Sequence, residues 1–418
     1  MVKPGYQETE IGIIPEEWEV SRLKDAFVKI EAGVSVNSND DDVSDYFVLK
    51  TSAVHDGTVD IREKKPVVSA DYSRLKCPLS KDSIIISRMN TPALVGECGY
   101  NSTLDKTVFL PDRLWQIRNP ENSDYNFIWL NYLLNTTQYR DKVRSTATGT
   151  SNSMKNISKE RLLEILIPKP DACEQQKIAT ALSDMDSLIA SLEKLIAKKQ
   201  VIKQGAMQEL LTGKKRLPGC KSEWAQSRLK RLCNICRGGS PRPIQNYLTN
   251  DSKGVNWIKI GDVSPDAKYI TSTKEKIKEN GVSMSRRVYK GDFILSNSMS
   301  FGRPYILKID GCIHDGWLAI QDYQEWFDTD FLYYLLGADY VLEQYIQMAA
   351  GSSVKNLNKE KVSNIKVSFP DRSEQQAIAS ILSDMDSEIT ALEQKLAKYR
   401  QIKQGMMQQL LTGKIRLV

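Results

Sequence analysis

The chain has 418 residues, more than one ordinary core accommodates, and its 41% apolar and 26% charged content is that of a folded, water-exposed protein of two or three domains. No apolar run approaches the ~18 residues of a membrane span, and the opening MVKPGYQETEIG has no hydrophobic signal core, so a cytoplasmic protein without membrane contact is expected. The net charge of +6 is unevenly spread, from about −3 over residues 1–173 to about +5 over 218–373, which permits nucleic-acid binding but excludes a uniformly basic clamp.

The first unit opens with EWEVSRLK (17–24) and continues through β-like runs YFVLK (46–50), SIIIS (83–87) and TVFL (107–110) to a helix-like NFIWLNYLL (126–134). Its intervening loops, GVSVNSND (33–40), SRMNTP (87–92) and GTSNSMKN (149–156), are rich in groups that donate to phosphates and read base edges. The candidate DNA contacts among them are Ser35, Asn37, Arg88, Asn90, Asn152, Ser153, Lys155 and Asn156. Trp18, Trp129, Trp224, Tyr333 and Tyr334 are expected in cores rather than stacked on bases.

Residues 174–217 then carry apolar side chains at Ile178, Leu182, Met185, Ile189, Leu192 and Ile196, in steps of four and three. This is the a/d seam of a coiled-coil helix of about 60 Å at 1.5 Å per residue. Asp171 and Glu174 look like a capping box, and Gly213 suits the helix end. Gly205 inside the helix predicts a bend or a close helix approach.

The second unit begins with EWAQSRLK (223–230) and has strand-like runs VNWIKI (255–260) and DFILS (292–296), then a long helical stretch, DFLYYLLGADYVLEQYI (330–346). Its loops RGGSPRP (237–243), SNSMSFGRP (296–304) and GSSVKN (351–356) supply Arg237, Ser240, Arg242, Asn297, Ser298, Arg303, Ser352, Ser353, Lys355 and Asn356 as further DNA-contact candidates. Residues 374–418 repeat 174–217 at about two-thirds of positions, with the seam renewed as Ile378, Leu382, Met385, Ile389, Leu392 and Leu396, and with Asp371, Glu374, Gly405 and Gly413 in register. Two equivalent units in one chain are most simply related by a pseudo-two-fold axis, which makes the paired helices antiparallel. The expected organisation is α+β: globular domains over 1–173 and 218–373, separated by long helices over 174–217 and 374–418.

Motifs for chemistry are lacking. GKKR (213–216) has no leading glycine for a phosphate loop, NTPAL (90–94) is not an amino-methyltransferase signature, and Asp171 and Asp371 precede EQQ without a nuclease lysine. Cys233 and Cys236 form one CxxC, and His55 and His314 are the only histidines, too few for a zinc set, so no metal site is expected.

The opening TEIGIIPEEWE (9–19), the two EQQ…LSDMD…LLTGK helices, the GTSNSMKNIS and GSSVKNLN segments before them and the two unlike domains together resemble the specificity subunit of a type I restriction–modification system. The resemblance runs the length of the chain, and both repeats are whole. It implies two target-recognition domains on double-stranded DNA and no catalysis of the chain's own. It also implies two methyltransferase subunits and two restriction–translocase subunits as partners, with S-adenosylmethionine, ATP and Mg on those partners. A coiled-coil scaffold with protein- or glycan-binding ends, and a catalyst with an unrecognised site, remain open alternatives.

Overall fold

The computed structural model describes residues 3–27, 29–40, 43–120, 123–149, 154–264, 267–297, 302–349 and 357–418. The chain forms two compact units, one of residues 1–192 and 395–418, the other of 193–394. Each unit therefore draws on both long helices, Ala172–Leu210 and Arg372–Leu410.

In the first unit the main sheet runs, in spatial order, Ile30–Ala32, Leu114–Arg118, Ser83–Ser87, Cys98–Asn101, Gly57–Val59 and Val54–His55. The SIIIS run is its central strand, buried along its whole length, as expected of a continuous apolar segment with neighbours on both sides. A second sheet orders Lys64–Pro66, Phe47–Leu49, Asp105–Phe109 and Pro78–Leu79. One cluster holds Trp18, Ile84, Ile86, Trp129 and Leu133 together with Ile178 and Leu182 of the first long helix and Leu410 and Leu411 from the end of the last.

The second unit repeats this plan with different residues. Its main sheet orders Asn234–Arg237, Trp317–Gln321, Phe293–Ser296, Pro304–Leu307 and Tyr269–Ile270. Its second orders Leu248–Thr249, Glu275–Ile277, Val255–Ile258, Gly311–Ile313 and Arg286–Val288. The parallel pairs also correspond: Gly99 with Gly57 and Val108 with Phe47 in one unit, Ile306 with Tyr269 and Trp257 with Cys312 in the other. The unlike domains thus share one fold. The helical stretch 330–346 is broken, into Thr329–Leu336 and Asp339–Ala349, and Gly337 caps the first piece.

The seam is partly a domain core. Ile178, Leu182, Ile378 and Leu382 are fully buried and belong to the two domain cores, because the first heptads of each helix pack on the globular part as well as on the opposite helix. Leu192, Ile196 and Ile389 are also buried, and Met185, Ile189, Met385, Leu392 and Leu396 are half-buried, as positions facing one neighbour should be. Within each unit, opposite ends of the two helices lie together: Lys403 pairs with Asp186 at 2.5 Å in the first, and Lys203 pairs with Asp386 and Lys199 with Glu388 at 2.7 Å in the second. The helices are antiparallel.

One expectation needs correction. A Cβ built at Gly205 or Gly405 meets nothing within 4 Å, so close helix approach does not explain either glycine, and the helix runs through both. Gly213 and Gly413 do end helices, with φ of +71° and +70°, and an added Cβ would lie 3.2 Å from the Trp224 ring or 2.5 Å from Pro15. Among the described residues no helix is long and apolar enough to cross a membrane.

Candidate nucleic-acid interface and the helix clamps

The candidate loop residues gather in separate clusters. In the first unit Met89–Asn90 pairs with Lys155–Ile157, which pairs with Ala147–Thr148, so that Asn90 lies opposite Lys155 and Met89 opposite Asn156. Two segments distant in sequence thereby bring Arg88, Asn90, Lys155 and Asn156 together at one small sheet. Lys155 Nζ donates to the Gly149 carbonyl at 2.6 Å, and Asn90 Nδ2 donates to Ser87 Oγ at 3.1 Å. The Arg88 guanidinium lies 5.7 Å from the Trp115 ring centroid, and its Nε is buried without a hydrogen-bond partner among the described residues.

Ser35 and Asn37 are not part of that cluster. The Asn37 amide N–H and Nδ2 both donate to Asp71, at 2.7 and 3.1 Å, and Arg74 donates to the Ser35 carbonyl at 3.0 Å. The Asn37 backbone bond, then Arg74, hold the Asp71 carboxyl below its usual range. Asn37 thus spends part of its donor capacity on holding its own loop.

In the second unit, residues from two loops converge on Asp315 in a third, an acid that sequence inspection passed over. Ser240 Oγ and Arg242 donate to its carboxylate at 3.0 and 3.3 Å, while Asn297 Nδ2 and Arg237 Nε donate to its carbonyl at 3.1 and 3.5 Å. Burial pushes the Asp315 carboxyl upward, but Ser240, His314 and Arg242 outweigh it and hold it low. The turn is fixed by His314 Nδ1, which accepts the Gly316 N–H at 2.7 Å. One side chain in a short HDGW turn carries no period or spacing, so only the three-dimensional convergence reveals it. Arg303 lies elsewhere, over the Tyr305 ring at 5.9 Å. Asn152, Ser153, Ser298, Ser352, Ser353, Lys355 and Asn356 lie outside the described residues.

The repeated EQQ and SDMDS words have a structural reason. The capping box forms only by half: Asp171 and Asp371 accept the N–H of Glu174 and Glu374, at 2.9 and 3.1 Å. Each glutamate instead turns into the core and receives an arginine from beyond the end of the other long helix. Arg416 donates to Glu174 at 2.7 and 2.8 Å, and Arg216 to Glu374 at 2.8 and 2.7 Å. A bidentate arginine outcompetes a backbone N–H for a desolvated carboxylate, since the charge-assisted pair is about twice as strong as a neutral bond. Trp18 Nε1 adds a bond to Glu174 at 2.9 Å.

The next residue, Gln175 or Gln375, is buried and saturated. Its oxygen accepts the N–H of Asn126 or Asp328, the N-caps of the domain helices, and its Nε2 donates to two carbonyls, at 2.9 to 3.0 Å. The second aspartate of SDMDS accepts from a domain tyrosine, Tyr132 to Asp186 at 2.6 Å and Tyr334 to Asp386 at 2.7 Å, besides its lysine. Burial, then the hydrogen bond to the carboxylate, raises both tyrosine pKa values. The repeated words therefore join helix, opposite helix and domain, and must match wherever that junction recurs.

A family model, the type I restriction modification DNA specificity domain, matches residues 15–204 and again 221–404, and the chain belongs to this family. Similar relatives include two type I restriction enzyme specificity subunits of Methanocaldococcus jannaschii. MjaX is 26% identical, covering 99% of this chain and 97% of its own, and MjaVIII is 25% identical, covering 97% and 94%. In fold the chain resembles the type I restriction–modification S subunit from M. genitalium, with TM-score 0.55, 18% identity and coverage of 94% and 96% of the two chains. A chain from a type I R-M system studied for complex assembly and conformational transition gives TM-score 0.61 at 16% identity, covering 96% and 99%.

Proposed function

We propose that this chain is the DNA sequence-recognition subunit of a type I restriction–modification complex. Each globular domain, over 1–173 and 218–373, reads one half of a bipartite, asymmetric double-stranded target. The antiparallel helices set the gap and dock two methyltransferase subunits that act on adenine, which they would flip from the duplex. Two restriction–translocase subunits join in the full complex. The chain is non-catalytic in this reading, and S-adenosylmethionine, ATP and Mg belong to the partners.

The observation that supports this reading most is the repeat itself: two units with one strand order and one set of clamps, but with unlike polar clusters, Arg88–Asn90–Lys155–Asn156 against the group around Asp315. Different readers on equivalent frames give an asymmetric target, while the equivalent frames offer identical partners equivalent sites. Phosphate contacts would position the chain and base edges would specify it.

Exchange of residues 218–373 for another recognition domain tests the modular part. The methylated motif should change in one half-site and keep the other and the gap. Changes in both halves would contradict independent reading.

A further inference from the structure

A basic groove lies on the second unit. It has a volume of about 770 Å³ beside the two-stranded sheet Ala225–Arg228 with Lys366–Phe369, and Arg228, Lys230, Arg231, Lys366, Ser227 and Gln344 line it. All four cations are exposed, and among the described residues none is in an ion pair. Arg228 donates only to the neutral Asn364, at 3.3 Å.

The equivalent surface of the first unit is the sheet Glu19–Arg22 with Leu166–Lys169, in the same register: Arg22 opposite Leu166 there, Arg228 opposite Lys366 here. The two segments are near copies, EWEVSRLKD and EWAQSRLKR, yet the charged differences on the two sheets run mostly one way, the loss of Lys169 to Phe369 being the exception. Glu19 becomes Ala225, Asp25 becomes Arg231, Glu164 becomes Asn364 and Leu166 becomes Lys366. In the first unit Glu164 neutralises the shared cations, pairing with Arg22 and with Lys24 at 2.9 Å, whereas the Glu19–Lys169 pair at 3.6 Å is replaced as a whole by Ala225 and Phe369. Three acids are removed, two cations gained and one cation lost on one frame, a net change of four charges towards positive.

We infer that the Arg228–Lys230–Arg231–Lys366 groove binds the phosphate backbone of the DNA and so positions the second unit independently of sequence. The inference rests on the DNA-recognition reading above. A protein occupant fits less well, because identical partner subunits docking on the two repeats would meet like surfaces, and these are unlike. The groove also lies at the start of the segment leading into Asn234–Arg237, whose far end carries Arg237 beside Asp315. Six residues of extended chain span at most about 20 Å, a separation that one duplex can bridge.

The test uses the full chain assembled with its methyltransferase subunit, titrated with target-bearing and target-free duplexes across a salt series. The double variant Arg231→Asp, Lys366→Leu carries the first unit's residues at equivalent positions. Arg231→Gln, Lys366→Gln keeps both sites polar should the first variant misfold. Loss of about two phosphate contacts makes the slope of log affinity against log salt shallower by about 2 and weakens binding roughly 10- to 100-fold near ~0.1 M salt. Both duplexes are affected alike, and the preference for target stays unchanged. An unchanged slope in a folded variant overturns the inference, as does an unchanged slope with weakened methyltransferase assembly, which would make the groove a protein-docking surface. Failure of the unsubstituted complex to bind any DNA would instead remove the underlying functional reading.

Discussion

Glu174→Ala should lower the melting temperature of the first unit by about 10 °C and leave the second unit's transition in place. The substitution strips a buried carboxylate from Arg416 and from the Trp18 indole N–H, leaving a largely buried guanidinium without its main partner. Breaking a buried pair by removing one partner costs about 3–5 kcal/mol. Glu17, 2.8 Å from Arg416 and exposed, recovers part of this, so about 3 kcal/mol is expected. For a unit of this size 1 kcal/mol moves the midpoint by roughly 2–4 °C. Arg416→Ala, 242 residues away, should melt the same unit early, because the end of the chain completes the first unit rather than the second. Glu374→Ala and Arg216→Ala should do the converse. Differential scanning calorimetry separates the two transitions. A shift below about 1 kcal/mol, or one in the wrong unit, would show that the clamp does not hold the junction.

The second large effect is on recognition rather than stability. Asp315→Ala should degrade the reading of one half-site and spare the other. The Asp315 carboxylate is partly exposed, so its loss costs little folding stability. It anchors Ser240 and Arg242, however, and without it these two side chains lose the carboxylate that aims them. A well-placed base contact discriminates by about 1–3 kcal/mol, so preference at the affected half-site should fall about 10- to 100-fold. Competition between the target and duplexes altered in either half measures this. Full discrimination at both halves by the variant would exclude the Asp315 group from reading.

The periodic features were legible in advance. Heptads, central strands and helix-ending glycines follow from local rules that a linear pattern exposes, and the repeat announced two equivalent units. The clamp was not legible, because Glu174 in a helix-start position satisfies the capping-box pattern whether or not its carboxylate turns elsewhere. Its true partner sits on another element. Gly205 misled for a similar reason: sequence shows the cost of a helical glycine, not the empty space around it. The loop candidates were chosen by residue type alone. Residue type cannot tell Asn37, which partly holds its own loop through Asp71, from Asn90 and Lys155, which a strand pair places side by side. Nor could it find Asp315, whose importance is that two other loops converge on it.

The central claim is that this chain confers sequence on an enzyme that lacks it. The direct measurement is a genome-wide map of methylated adenines in cells that carry this chain with a cognate methyltransferase subunit, against cells with that subunit alone. The account predicts a split, asymmetric motif with one fixed gap that is present only when the chain is present. An assembled complex that yields no new motif, or the same motif without the chain, would contradict it.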